Sequence, residues 1–414
     1  MLFVPKNDSP FIDNQFGLIK KLYEIPTYPG LPRISICMAF GSTYSNSGFN
    51  ASGAGITYED AKMSAVGEYV ERYCALHPRR NLLEATAETS PKQVDPKIFS
   101  QYINEDIDFR NSSIGWTNGM DLLTSEEVLV PAEVFYLTYT RQNKKRIWVS
   151  NSTGAACGTD LKTVMWKGLA EAFERDAIQF TWRNQLSLPK IDFLKNKNVE
   201  KFYNKYIHSD GIKITLFKFI MDWDVPAVFG IAEFENGATV VAAAVRDNWE
   251  DACIKTLLEL AQSIVGYTSI IFNEEFVEFS EDFSDVKTYE DHSLLYFNKK
   301  MKKHLSFLLE GKEIIEIPEK SNNLSDDQIY TWFVNEVRKI NKKAYFVNLT
   351  SPEIDNFNWI VGRVIVPGFL DIEPNFIKDM KSQRINSLKD HLLETGKRSL
   401  KHFHGKPTAP HPFP

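Results

Sequence analysis

The feature that most constrains this chain is a pair of carboxylates repeated on helical patterns. The stretch Met63-Ser64-Ala65-Val66-Gly67-Glu68-Tyr69-Val70-Glu71-Arg72 puts two glutamates three residues apart. Three residues is close to one turn, so Glu68 and Glu71 share a helix face. The pattern recurs 103 residues on as Gly168-Leu169-Ala170-Glu171-Ala172-Phe173-Glu174-Arg175, and a further 88 on as Thr256-Leu257-Leu258-Glu259-Leu260-Ala261-Gln262. The alignment extends upstream. Thr57, Asp160 and Asn248 fall at one place in the three copies, and all are good helix N-caps. Ala65, Gly168 and Thr256 coincide one turn before the first acid, and Gly55 and Gly158 open the first two copies. The spacing predicts capped helices over 58–76, 161–182 and 249–265, each with Glu-x-x-Glu or Glu-x-x-Gln at one depth. Surface helices whose glutamates pair with arginine at i+4 would account for one copy. Three aligned copies point to a shared site.

Like charges one turn apart cost about 0.2–0.5 kcal/mol on an exposed helix. A cation removes that cost, and hard cations such as Mg²⁺ take carboxylate oxygens. Glu68, Glu71, Glu171 and Glu174, with Glu259 and Gln262 nearby, would form a strongly negative pocket. With Mg²⁺ bound the balance reverses and the pocket suits a triphosphate. Arg72 and Arg175 stand four residues after Glu68 and Glu171, where they can hold the carboxylates or reach phosphate. A two-metal phosphatase or nuclease is the rival. Those sites mix His and Asp with Glu, and no His occurs in the three copies. All-oxygen ligation favours Mg²⁺ over Zn²⁺. No Ser-His-Asp, HExxH or GxGxxG signature is present.

Composition narrows the classes. A net charge of −6 over 414 residues does not predict a nucleic-acid footprint. No run of apolar residues is long enough for a membrane span. The N-terminus lacks the apolar core of a signal peptide. Cys37, Cys74, Cys157 and Cys253 are scattered without a CxxC pair, which predicts free thiols in a reducing cytosol and a cytoplasmic protein.

Along the chain, residues 1–50 read as a proline-punctuated loop, then a strand near Ile34–Phe40. Gly41–Gly55 reads as a Ser/Gly/Asn loop able to hold phosphate before a helix N-terminus. Strands are expected near Glu127–Val130, Arg146–Ser150, Ile214–Phe217, Pro226–Ala232, Thr239–Val245, Ala344–Leu349 and Trp359–Val366, and a helix over Gln328–Lys342. The whole chain, 1–414, reads as one domain. Residues 275–330, with acidic runs and the basic Lys299-Lys300-Met301-Lys302-Lys303, read as a surface insertion or lid. His402 and His404 lie in a basic stretch before an extended tail, 407–414.

Four motifs in order resemble the YcaO family: Ser64-Ala65-Val66-Gly67-Glu68-Tyr69-Val70-Glu71-Arg72; Ser150-Asn151-Ser152-Thr153-Gly154-Ala155-Ala156 leading to Glu171-x-x-Glu174-Arg175; Glu259-x-x-Gln262; and Arg363-Val364-Ile365-Val366-Pro367-Gly368. The chain departs from many members at Gly53-Ala54-Gly55, where they carry Gly-Lys-Gly, and at Lys162 and Thr163, where they carry acids. The resemblance implies an α/β fold of the YcaO type, with mixed sheets and helices around a central ATP and Mg²⁺ site. It implies Glu68, Glu71, Glu171 and Glu174 as Mg²⁺ ligands, and Arg72, Arg175, Glu259 and Gln262 at the nucleotide. The ending Pro410-His411-Pro412-Phe413-Pro414 resembles the PxPxP end of the azoline-forming branch and implies a catalytic role for the Pro414 carboxylate. The implied activity is that of a stand-alone cyclodehydratase subunit. It would phosphorylate a backbone amide oxygen of a ribosomal precursor peptide and turn Cys, Ser or Thr into thiazoline or oxazoline. Thioamide or amidine formation, and an ATP-binding scaffold subunit, are the alternatives. The implied partners are an E1-like (ThiF-like) leader-binding protein, the precursor peptide and, for an azole product, a flavin-dependent dehydrogenase. A homodimer is left open.

Overall fold

The computed structural model describes residues 11–41, 50–78, 82–102, 109, 111–139, 147–148, 151–320, 323–373, 375 and 382–413. Three sheets and three long helices alternate around a common centre. An N-terminal sheet of three antiparallel strands orders Ile19–Ile25, Ser35–Gly41 and Asn50–Gly55. A six-stranded sheet runs Leu83–Ala85, Ile114–Asp121, Tyr345–Asn348, Ile360–Ile365 and Ala155–Gly158, with Glu127–Pro131 also on Ile114–Asp121. A five-stranded sheet runs Thr239–Val245, Ala227–Phe234, Ile212–Lys218, Lys190–Ile191 and Ile314–Ile315. Among the described strands every pairing is antiparallel except that of Ile314–Ile315 with Lys190–Ile191.

The first helix, Tyr58–Leu76, packs between the N-terminal and six-stranded sheets. The second, Leu161–Arg183, packs between the six- and five-stranded sheets. The third, Trp249–Gly266, packs between the five-stranded sheet and strand Asn50–Gly55. Each helix begins where its cap residue predicts. Thr57, Asp160 and Asn248 accept hydrogen bonds from the backbone N–H three residues on. Each also has its own apolar cluster: Ala61, Ala65, Val66 and Val70 in one, Leu169, Phe173 and Ala177 in another, Cys253, Leu257 and Leu260 in the third.

Two expectations change. Ile19–Ile25 is a strand, hidden in the sequence because Lys21, Tyr23 and Glu24 are exposed on a short outer strand. Gly41–Gly55 is a strand over Asn50–Gly55, while 42–49 lie outside the described residues. The glycines there serve close packing. A Cβ on Gly53 would stand 2.2 Å from the Ala65 nitrogen, and one on Gly55 2.6 Å from the Ala61 nitrogen. The stretch Arg146–Ser150 lies outside the described residues except for Ile147 and Trp148, which are buried.

Within 275–330, Val286, His292, Leu295, Tyr296, Met301, Leu305, Phe307 and Leu308 are buried in the main core, whereas 278, 281, 282 and 323–328 are exposed. Helix Gln383–Glu394 is tied to the second helix by Arg384, which is buried and pairs with Asp176 at 2.6 Å and with Asp222. No helix among the described residues is long and apolar enough to cross a membrane. The four cysteines are free.

Candidate active site

The three helices bring Glu68 and Glu71, Glu171 and Glu174, and Glu259 and Gln262 toward one centre, and backbone from a neighbouring element tethers Glu68 and Glu171. Glu68 accepts a hydrogen bond from the Ser52 N–H at 3.1 Å and pairs with Arg72. Arg72 also donates to the Asn50 carbonyl at 2.6 Å. Gln262 donates to Ser52 Oγ at 3.1 Å, so Ser52 joins the first and third helices. Glu259 pairs with Lys255 at 3.2 Å. On the second helix, Glu171 accepts from the Gly154 N–H at 3.1 Å and from Arg175 at 3.3 Å, and Arg175 also pairs with Glu174 at 3.8 Å.

The Gly154 contact depends on Arg363, which is fully buried. Its guanidinium donates to the Thr153 carbonyl (2.9 Å), the Val134 carbonyl (2.9 Å) and Asn151 Oδ1 (3.1 Å). This clamp shapes the 151–154 turn, where Gly154 has φ +79°. A Cβ there would meet the Val364 carbonyl oxygen at 1.9 Å. The Asn-Ser-Thr-Gly and Arg-Val-Ile-Val-Pro-Gly motifs are therefore two halves of one support for Glu171.

Burial and crowding set the electrostatics. Burial, then the charges of Glu171 and Glu68, push the Glu71 carboxyl up to about 8. Burial pushes Glu174 up to about 8, with Glu259 and Glu171 adding to the rise and Arg175 opposing it. Burial raises Glu68 and Glu171 as well. Among the described residues no three His, Cys, Asp or Glu side chains already converge to hold a metal ion. The donor set nonetheless fits Mg²⁺. It is all carboxylate oxygen, and the crowding that raises Glu71 and Glu174 is what a divalent cation relieves.

Sequence reasoning missed the wall beside Arg175. Asp371 accepts from Thr153 Oγ1 through one oxygen, and its other oxygen is buried without a partner among the described residues, as is Glu373 Oε2. Into this wall runs the C-terminal tail. Three consecutive carbonyls receive side-chain donors. Trp182 Nε1 donates to the Ala409 carbonyl at 3.2 Å, Tyr296 OH to Pro410 at 2.7 Å and His292 Nδ1 to His411 at 2.7 Å. The His411 ring stacks on His292 with centroids 4.0 Å apart and donates from Nε2 to the Glu373 carbonyl. Phe413 packs on Phe229. Burial, then His292, holds His411 well below the usual histidine range, and Arg183 and Arg175 add to the effect. Pro414 lies outside the described residues.

A model of the YcaO cyclodehydratase family, described as ATP- and Mg²⁺-binding, matches residues 52–370. A heterocyclase solved in complex with substrate and cofactor superposes with a TM-score of 0.74 at 20% identity, covering 96% of this chain and 55% of that one. The YcaO of Methanopyrus kandleri bound with AMPPCP and Mg²⁺ gives 0.61 at 18% identity, covering 85% and 86%. The Escherichia coli microcin synthetase McbBCD complex gives 0.59 at 15%, covering 85% and 87%. An uncharacterized protein of Methanothermobacter thermautotrophicus is 27% identical over 222 residues, 51% of this chain and 56% of the relative. This chain therefore spans little more than half the length of that relative and of the heterocyclase. The family match takes in all three acid helices and the Arg363 support, and the chain belongs to the YcaO cyclodehydratase family.

Proposed function

We propose that this chain is an ATP-dependent, azoline-forming peptide cyclodehydratase. The observation that carries this reading is the buried tail. Residues 409–413 are held in a slot beside the second acid helix. The tail carries the Pro-His-Pro-Phe-Pro ending that resembles the azoline-forming branch, which favours that branch over thioamide or amidine formation, and the intact acid pairs favour an enzyme over a scaffold subunit.

In the proposed reaction a Cys, Ser or Thr side chain of a precursor peptide attacks the preceding carbonyl carbon and gives up its proton. The carbonyl oxygen takes the γ-phosphoryl group of ATP, phosphate leaves with that oxygen, and the nitrogen loses its proton as the C=N bond forms. The net products are azoline, ADP and phosphate. Phosphorylation matters because an amide oxygen is a poor leaving group and phosphate a good one. Glu68, Glu71, Glu171 and Glu174 would hold Mg²⁺, which neutralises charge on the phosphates. Arg72, Arg175, Glu259 and Gln262 would line the nucleotide. Pro414, next after the anchored Phe413, would orient the substrate or take the nucleophile's proton. An E1-like protein that grips the leader peptide is the proposed partner, with a flavin-dependent dehydrogenase downstream where an azole is the product. The setting would be the cytoplasm.

Deletion of Pro414 alone tests the reading, because it leaves Phe413 and the three carbonyl contacts in place. With partner and precursor present, loss of one water per ring is read by mass. The expected result is ring formation reduced by roughly 10²-fold or more with ATP binding unchanged, the scale of removing one group that acts on the transition state. Ring formation at the normal rate would remove Pro414 from the chemistry and leave the azoline assignment without its main support.

A further inference from the structure

Two sequence features stand outside the site described above: the basic run Lys299–Lys303 and the pair His402 and His404. The fold brings them together. Lys303, His304, Ser306 and Glu310 on one side face Lys401, His402, His404 and Thr408 on the other across a cleft of about 440 Å³. A second hollow of about 310 Å³ is lined by Lys190, Lys213, Glu233 and Lys302 and shares Lys303, Ser306 and Glu310 with the first. The shared residues make one elongated groove along the 302–310 segment.

Its charge opposes that of the molecule. The chain carries −6 overall, yet the groove gathers five lysines against Glu233 and Glu310. Lys302 neutralises Glu233 at 2.7 Å. Among the described residues Lys213, Lys303 and Lys401 form no ion pair. Beside the second hollow, strand Ile212–Lys218 has no neighbouring strand over part of one edge among the described residues. Lys190–Ile191 pairs with only Leu216 and Phe217 of strand Ile212–Lys218, and among the described residues no strand covers Ile212–Thr215 on that side. An unpaired edge beside lysines is suited to an extended, acidic chain.

One end of the groove adjoins the buried tail. Thr408 lines it and is hydrogen-bonded by His304 at 3.1 Å, and the residues that follow are the buried 409–413. We propose that the groove binds an acidic segment of the peptide substrate in extended form and lays it beside the tail. The proposal rests on the peptide-modifying reading for the identity of the occupant, but not for the binding itself.

Anisotropy of a labelled octaglutamate peptide on the full chain tests the binding, with octaglutamine as control. Octaglutamate should bind, octaglutamine should not, and binding should weaken between about 50 mM and about 500 mM salt. The double variant Lys303→Glu/Lys401→Glu should weaken it roughly tenfold or more, and Lys21→Glu/Lys97→Glu, with the same charge change on exposed sites elsewhere, by less than about twofold. Equal losses in the two pairs, or full displacement by millimolar inorganic phosphate, would overturn the groove as a peptide site. In turnover assays an acidic tract added to a test peptide should lower KM in the wild type and not in Lys303→Glu/Lys401→Glu, with kcat unchanged. A KM that ignores the tract overturns the substrate as occupant. Failure of ring formation altogether would count against the azoline reading and leave the anisotropy result standing.

Discussion

Glu71 and Glu174, each raised to about 8, are mostly protonated at pH 7 in the ligand-free protein. Their unfolded values lie near 4.5, so the folded chain binds more protons through the window between. Stability of the ligand-free protein should therefore fall as pH rises from about 4.5 to about 8 and level off above. Glu71→Gln and Glu174→Gln should flatten that slope and melt higher than wild type at pH 8, while losing ATP turnover by about 10²-fold, read as ADP release. Variants that melt lower at pH 8, or turn over normally, would remove these carboxylates from the metal site. The acid pairs were legible because helical period alone puts residues three apart on one face. Asp371, Glu373 and Tyr296 were not, because their roles depend on which distant segment folds against the second helix.

The three helices were also legible as elements, ends included, since caps and apolar spacing agree with the tertiary packing. Strand Asn50–Gly55 was not, because glycines that permit contact with a helix look like turn residues in sequence. The tail illustrates the same limit. Its prolines exclude a helix, but only the fold supplies the donors that fix it. Tyr296→Phe leaves the buried Pro410 carbonyl without its donor, a cost of about 1–3 kcal/mol against the docked tail. Hydrogen exchange at the Ala409, His411 and Phe413 amides should accelerate well beyond any change in the global unfolding midpoint. Unchanged exchange at those amides would mean that the slot is held by packing alone.

Across the described residues each acid helix is backed by a different apolar cluster. The site is thus a junction between three separately packed regions, bridged in the described residues by Ser52 and the Arg363 support. The carboxyls crowded at that junction oppose one another's ionisation, so charging them as pH rises works against the contact between the regions. A Mg²⁺-nucleotide that bound all three helices would oppose this, and its binding energy would appear as stability of the whole chain. At about 100 times its dissociation constant it should add about 2.7 kcal/mol. Denaturant titrations should show one transition moving to higher midpoint with Mg²⁺ and a non-hydrolysable ATP analogue present together, and little movement with either alone. Glu68→Gln, Glu171→Gln and Glu259→Gln, one from each helix, should each reduce the shift. If the ligand stabilised only part of the chain, splitting the transition in two, or if only the second-helix variant mattered, the nucleotide would sit on one region and the three-helix junction would not be its site.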